Sequence, residues 1–534
     1  MLSPKNPSTA LRAVPLPRKA GGGFILALLV IGAAPPAAPV DLLIRGGTIY
    51  TGSDAPFTGD VAISGDRIRA VGPRLPVTAK RVIDARGMIV APGFIDPHTH
   101  MGEDLASGDA RTRLIPAFLM QGVTTAFIGN DGGGDTDVAR VLGGASSRPV
   151  GINYATYVGF GTVRRQVLGA ADRTPDDKEL GRMRSLVASA MCQGALGLST
   201  GLFYAPQSFA RTGEVVELAR EAGRRGGFYD SHIRDESSYS IGLAAAVDEA
   251  IAIGREAGLP VNISHIKALG VDVHGQAPAI IAKVEAARRA GQAVTADQYP
   301  WSASGTSLTA ALVPLWAQDG GRPKLLERFD DPSLAKRLHA DMAENLRRRG
   351  GAEALLITEG ALSGRTLAEL AKLQGDPVAT AIALIRIGDS AVASFNQTEE
   401  DIKAFMRRPW VMTGSDASTG HPRTYGSFAR KYSKYVVAER VVTLRELIER
   451  SSTLAADTFR LEGRGRLKAG AYADVVVFDP KRFAARATYA RPALTAAGVT
   501  AVLVNGILAV DKGILTGRAG GRALPHRPTP GTCP

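Results

Sequence analysis

The chain holds only eight histidines, and four of them sit where they could act together. His98 and His100 stand in "DPHTH" after an apolar run, and because strand side chains alternate, residues two apart project to the same side. His232 closes "GFYDSH", His265 closes "PVNISH" and Asp416 closes "WVMTGSD". A lone histidine is more often a hydrogen-bonded core residue than a ligand, but repeated strand-end histidines joined by a carboxylate make a pattern. Nitrogen and oxygen donors of this kind suit a hydrolytic zinc site that keeps open positions for water. The two cysteines, Cys192 and Cys533, form no CxxC pattern and no disulfide framework, so histidines and carboxylates must hold any metal. Ser199, Ser231, Ser264 and Ser415 also lie at strand ends, yet no GxSxG elbow accompanies them, and they read as structural. Of the other histidines, His339 and His526 read as surface residues and His274 as solvated, while His421 orients a loop.

These residues need a scaffold that delivers several strand ends to one face. From Met88 to Asp416, short apolar strands alternate with Ala-, Glu- and Arg-rich helical stretches, which is the grammar of a parallel sheet. The candidate strands are "MIVAPGFIDPHTH", "VTTAFIGND", "INYATYVGF", "ALGLSTGLF", "GFYDSHIR", "PVNISHIK", "AVTADQYPW" and "WVMTGSD". Eight such units predict an α/β fold, a (β/α)8 TIM-like barrel whose strand C-termini carry the chemistry. The stretch from Trp301 to Trp410 is too long for one unit, which predicts a helical insertion at about 308–386. On either side of the barrel, "GDVAISGDRIRAVG" and "VTAVLVNGILAVDKGILTG" alternate apolar and polar residues between glycines. The expected organisation is a leader at 1–40, a small β-sandwich built from 41–91 and 456–520, the barrel at 92–455 inserted in it, and a loose tail at 521–534.

The motifs form a set. "APGFIDPHTH", the SHxR and SHxK strand ends, "GSD" and "AYADVVVFD" resemble the amidohydrolase superfamily. More narrowly, "GALGLSTGLFYAP", "SHIRDE", "SHIKALG" and "HPRTYGSFAR" resemble the N-acyl-D-amino-acid deacylases, or D-aminoacylases, from about Asp41 to Gly517. The resemblance implies one or two zinc ions, with His98 and His100 at one position, His232 and His265 at the other, and Asp416 as metal ligand and catalytic aspartate. It also implies that Lys267, Tyr299 and Arg423 hold a substrate carboxylate and that Tyr204 lies near the scissile group. The sequence departs from the family pattern at three places, one being the fourth strand, where "ALGLSTGLF" holds no lysine of the kind that many amidohydrolases carboxylate. The family's metal-bridging Cys is replaced by Asp131, which becomes the expected bridge, and its hard oxygen makes Mn²⁺ or Co²⁺ better tolerated. A GHG segment on the third strand becomes Gly159-Phe160-Gly161. The expected activity is hydrolysis of the amide of an N-acyl-D-amino acid. Its alternatives are a dipeptidase acting on D-residues, a cyclic amidase of the hydantoinase or dihydroorotase kind, and a non-enzymatic periplasmic metal-binding or scaffold protein with a decayed site.

Composition bounds these readings. Apolar residues at 45% and charged residues at 22% fit a chain with a large buried core. The net charge of +13 is scattered among acids, with neither a basic stripe nor base-stacking aromatics, which excludes nucleic acid as the expected partner. The expected partner is a small molecule with an amide and a free carboxylate. Lys5, Arg12, Arg18 and Lys19 precede "FILALLVIGAA" and "PPAAP", the pattern of a secretory signal. Its removal would leave no stable membrane insertion, and the expected location is outside the cytoplasm, in the periplasm.

Overall fold

A computed structural model describes residues 38–372 and 375–533. The expected leader, apart from its last three residues, lies outside the described residues. The eight barrel strands are Phe94–Asp96, Val123–Ile128, the broken pair Asn153–Thr156 and Val158–Gly159, Gly197–Gly201, Phe228–His232, Val261–Ile263, Val294–Gln298 and Val411–Thr413. The pairings between these strands are parallel. A parallel bridge from Thr99 to Ala417 joins the first strand's extension to the eighth's, and the Asp416 N–H donates to the His98 carbonyl at 3.0 Å. Both ends of the barrel seam therefore carry site residues.

The first candidate strand divides in two. Ile89–Pro92 joins the β-domain, antiparallel to Val475–Phe478, and only Phe94–Asp96 enters the barrel. Gly93 makes the crossing, where any Cβ would run into the Thr124 side chain. Each intervening helix covers the barrel with an apolar stripe, as in Thr212–Arg224, where Val215, Val216, Leu218, Ala219 and Ala222 are buried.

Both chain ends build the β-domain. Val40–Ile49, Phe57–Ser64, Arg67–Gly72, Ala79–Asp84 and Ile89–Pro92 share a nine-stranded sheet with Val475–Phe478, Val499–Val504, Ile507–Asp511 and Ile514–Leu515. Its core mixes the two halves, with Leu42, Ile44, Val61 and Val90 against Val475 and Leu503.

Two expectations are corrected. The insertion is not purely helical and is wider than 308–386. It carries an antiparallel sheet of Ala303–Ser307, Ala391–Phe395 and Leu355–Ile357 beside helices such as Pro332–Arg348, and it has its own core around Leu312, Leu338, Met342 and Ile385. "ASGTS" lacks the apolar alternation that marks a strand, because its partners rather than its own side chains hold it there. The expected loose tail, over its described residues 521–533, is not loose. The Gly521 N–H donates to the Val150 carbonyl, Leu524 to Tyr154 and His526 to Gly194, and Cys533 forms a disulfide with Cys192. The two thiols, which show no disulfide framework in sequence, are joined across 341 residues, a separation at which only tertiary structure can make them neighbours.

Candidate functional site

The strand C-termini converge on a cavity of about 480 Å³. Asp131 occupies its floor. One carboxylate oxygen lies 3.4 Å from His98 Nε2 and 3.6 Å from His265 Nε2, and the other lies 3.5 Å from His100 Nε2 and 3.6 Å from His232 Nδ1. Asp416 Oδ1 stands 3.2 Å from His100 Nε2 and 3.8 Å from His98 Nε2. Of three donor groups that could each hold a metal, two face the cavity, His98, His100, Asp131 and Asp416 in one and Asp131, His232 and His265 in the other, while the third, His98 with Asp230 and Asp297, is wholly buried. Asp131 belongs to both cavity groups.

The backbone is bent to achieve this. Asp131, His265 and Asp416 have φ of 55°, 35° and 48°, in the left-handed region where non-glycine residues are strained. Neighbours hold each bend. Gln207 Nε2 donates to the Asp131 carbonyl, and Ser199 Oγ accepts from the Gly132 N–H. Beneath the histidines lies a buried polar floor that the sequence reading missed. Asp230 accepts from Asn130 and Asn262, and Asp297 accepts from Asn262 and from the His265 N–H. Asp96 accepts from the N–H groups of Ser415 and His98. Burial pushes Asp96 up to about 7 and Asp230 up to about 6. Acids inside short apolar strands, as in "FYDSH" and "FIDPH", were the available signal.

Glu236 was also missed. It accepts from Lys267 Nζ and lies 3.1 Å from His265 Nδ1 and 3.7 Å from His232 Nε2. The second acid of "SHIRDE" marked it, but its loop has no periodicity that would aim it.

The electrostatics favour bound cations. Burial pushes the Asp131 carboxyl up, but the surrounding histidines hold it well below the usual carboxylate range. Asp416 is likewise held low, against burial, by the Arg423 guanidinium, whose Nη1 lies 2.6 Å from Asp416 Oδ2. His98 and His232 have both ring nitrogens, and Asp131 its Oδ1, buried without a hydrogen-bond partner. One nitrogen of each ring, His98 Nε2 and His232 Nδ1, faces the Asp131 carboxylate, and unsatisfied atoms so placed are the donor set of a group that binds between them.

The expected substrate contacts come together in part. Tyr204 lines the cavity with its ring 4.8 Å from His232. Lys267 and Arg423 also line it, but each is already committed to an acid, Glu236 and Asp416 respectively. Tyr299 does not reach the cavity wall. It stands behind the cations, its ring 4.9 Å from the Arg423 guanidinium carbon and 5.8 Å from Lys267 Nζ. His421 accepts from the Arg423 N–H and bonds the Ala303 carbonyl, orienting the loop. Phe160 is fully buried in the main core, away from the cavity.

The model of the amidohydrolase family matches residues 81–510, most of the chain. The protein belongs to this family. A D-aminoacylase of Alcaligenes xylosoxydans xylosoxydans is 33% identical over 514 residues, covering 91% of this chain and 98% of that one. A solved D-aminoacylase with a binuclear metal centre superposes with a TM-score of 0.78 at 30% identity, covering 92% of this chain and all of the other. The N-acyl-D-glutamate deacylase of Bordetella bronchiseptica, solved with zinc and a phosphonate mimic of the tetrahedral intermediate, gives 0.77 at 30% identity and the same coverage. In this amidohydrolase the first, second, fourth, fifth, sixth and eighth strand ends anticipated from sequence thus frame one cavity, with Asp131 at the centre of its donors.

Proposed function

We propose that this amidohydrolase is a zinc-dependent deacylase that hydrolyses the amide of N-acyl-D-amino acids, releasing a carboxylic acid and a free D-amino acid. The observation that carries the reading is the pair of donor groups sharing Asp131 at the mouth of the barrel. The activities of the relatives described above support it.

His98, His100 and Asp416 would hold one ion and His232 and His265 the other, with Asp131 between them. Zinc bound there lowers the pKa of water from 15.7 toward about 7 and polarises the amide carbonyl. Asp416 accepts the water proton at Oδ1, beside His100, while Arg423 pins Oδ2. The oxygen joins the acyl carbon, the carbon–nitrogen bond breaks, and Asp416 passes its proton to the leaving nitrogen. Burial pushes the Tyr204 phenol above its ordinary value, so it keeps its proton and donates a hydrogen bond to the carbonyl oxygen. An ammonium has three donors, and Lys267 donates to Glu236. A further donor serves the substrate α-carboxylate, through a charge-assisted bond.

We further propose that the protein works in the periplasm. The Cys192–Cys533 disulfide supports an oxidising compartment, and the sequence leader supports export. No helix among the described residues is long and apolar enough to cross a membrane.

A panel of N-acetyl-D-amino acids, N-acetyl-L-amino acids and mixed dipeptides, assayed with the zinc-loaded enzyme, tests the reading. Turnover confined to the N-acetyl-D series is expected. Equal rates on the L series, or activity on dipeptides alone, would overturn it.

A further inference from the structure

Three cations line the cavity, and two have counter-ions: Lys267 pairs with Glu236 and Arg423 with Asp416. The third is Arg349, which follows helix Pro332–Arg348 of the insertion. Its side chain is 2% exposed. Nε donates to the Ala311 carbonyl at 3.3 Å, and Nη1 is buried with no acceptor. No carboxylate among the described residues lies within ion-pair reach of it. Glu359, at the cavity rim, is exposed and unpaired with it. A guanidinium buried without a counter-ion is strongly unfavourable unless an anion arrives to pair it.

A second donor faces the same way. Tyr239 lines the cavity beside Arg349, with the guanidinium carbon 5.6 Å from its ring, and its hydroxyl is also buried without a partner. The Tyr239 ring meets Phe203 at 5.4 Å, and Phe203 stacks on His232 at 5.8 Å. An aromatic wall therefore runs from the histidines to Arg349. Phe203 and Tyr239 follow the fourth and fifth strands, whereas Lys267 and Arg423 follow the sixth and eighth. With the α-carboxylate at Lys267, the acyl chain leaves along the wall.

We propose that Arg349 and Tyr239 form an anion subsite for a carboxylate at the far end of the acyl chain, so that the favoured substrates are dicarboxylic acyl derivatives such as N-succinyl-D-amino acids. This rests on the deacylase reading above. An aromatic wall ending in a guanidinium without a carboxylate partner and a phenol beside it fits a short methylene chain with a terminal carboxylate.

The test compares N-succinyl-D-leucine with its terminal carboxamide, using the zinc-loaded enzyme. A charged hydrogen-bond partner gained only by the acid makes wild-type kcat/KM higher for it by roughly 10- to 100-fold. Arg349→Gln should bring that ratio close to one, Arg349→Lys should restore part of it, and Tyr239→Phe should lower it while keeping the charge. A ratio unchanged in all three variants overturns the subsite. If instead the ratio of N-acetyl-D-glutamate to N-acetyl-D-glutamine responds to Arg349 and the succinyl pair does not, the acyl-side placement is overturned. Turnover of N-acetyl-D-leucine separately reports the deacylase reading. Should that fail, calorimetric titration of the same succinyl pair into wild type and Arg349→Gln still decides the subsite, since loss of acid-selective binding supports it and identical isotherms overturn it.

Discussion

Asp131 illustrates how one residue serves two purposes. Its sequence context, Asn130-Asp131 followed by three glycines, is that of a turn former, and its φ of 55° shows that it does turn the chain. The same turn points its carboxylate at four imidazoles. A hard oxygen at this position widens metal choice. Asp131→Cys should therefore raise the ratio of zinc to manganese retained after dialysis against both, by about tenfold or more, as a soft thiolate selects the softer ion. An unchanged ratio in elemental analysis would show that Asp131 is only a turn. His100 supplies a second prediction. Burial opposes its protonation, but the carboxylates of Asp131 and Asp416 override burial and push it up to about 9. In the metal-free protein it is protonated at pH 7, so an incoming metal must displace that proton. His265 is likewise pushed up, to about 10, so apparent affinity rises with pH until about 10 and flattens above it. Calorimetry at pH 7 in buffers of different ionisation enthalpy should report about one proton or more released per metal bound, and no release would contradict the assignment.

Among the elements, the eighth barrel strand is secured in an unusual way. Lys431, at the start of the π-helical segment Lys431–Ala438, is 1% exposed and donates to Thr413 Oγ1 at 2.8 Å, with no ion pair among the described residues. Burial, reinforced by the Arg450 charge, pushes its ammonium well below the ordinary value. The unfolded chain takes up this proton below about pH 10.4, while the folded chain does so only at lower pH. Between the two values the unfolded state binds more protons, and stability rises with pH. Replacing the lysine with an apolar side chain of similar length removes that penalty. Lys431→Met should raise stability at pH 7 by roughly 1–4 kcal/mol, with a smaller gain at pH 10. Paired thermal melts at the two pH values check this, and a lower midpoint for the variant at both would refute it. The barrel strands themselves were legible because parallel strands buried on both faces read as short apolar runs. The insertion sheet was not, since Ala303–Ser307 has small polar residues on both sides and takes its strand form from Ala391–Phe395.

Across the whole molecule, the tail closes the structure. Residues after Gly517 lie along the third barrel strand, and Cys533 ties them to Cys192 at the end of helix Asp177–Cys192. Removing a crosslink that closes so long a loop typically costs about 2–5 kcal/mol. Cys533→Ser should lower the urea midpoint accordingly and expose the tail to limited proteolysis beyond Gly517. A variant as stable and as protease-resistant as wild type would show that the hydrogen bonds alone hold the tail.

Strand-end chemistry was readable from the sequence because it is local. A histidine at the end of an apolar run faces the mouth of any barrel built from such runs, so His98, His100, His232, His265 and Asp416 could be placed together by pattern. What depended on pairing between distant segments was not readable. Glu236 against Lys267, Arg423 on Asp416, Tyr299 behind both cations, Arg349 reaching in from the insertion and Cys192 joined to Cys533 each join segments whose own sequences carry no mark of the partner. The physical reason is that side-chain period and turn chemistry are properties of a single segment, whereas charge compensation and burial are properties of the space between segments, and only tertiary structure defines that space.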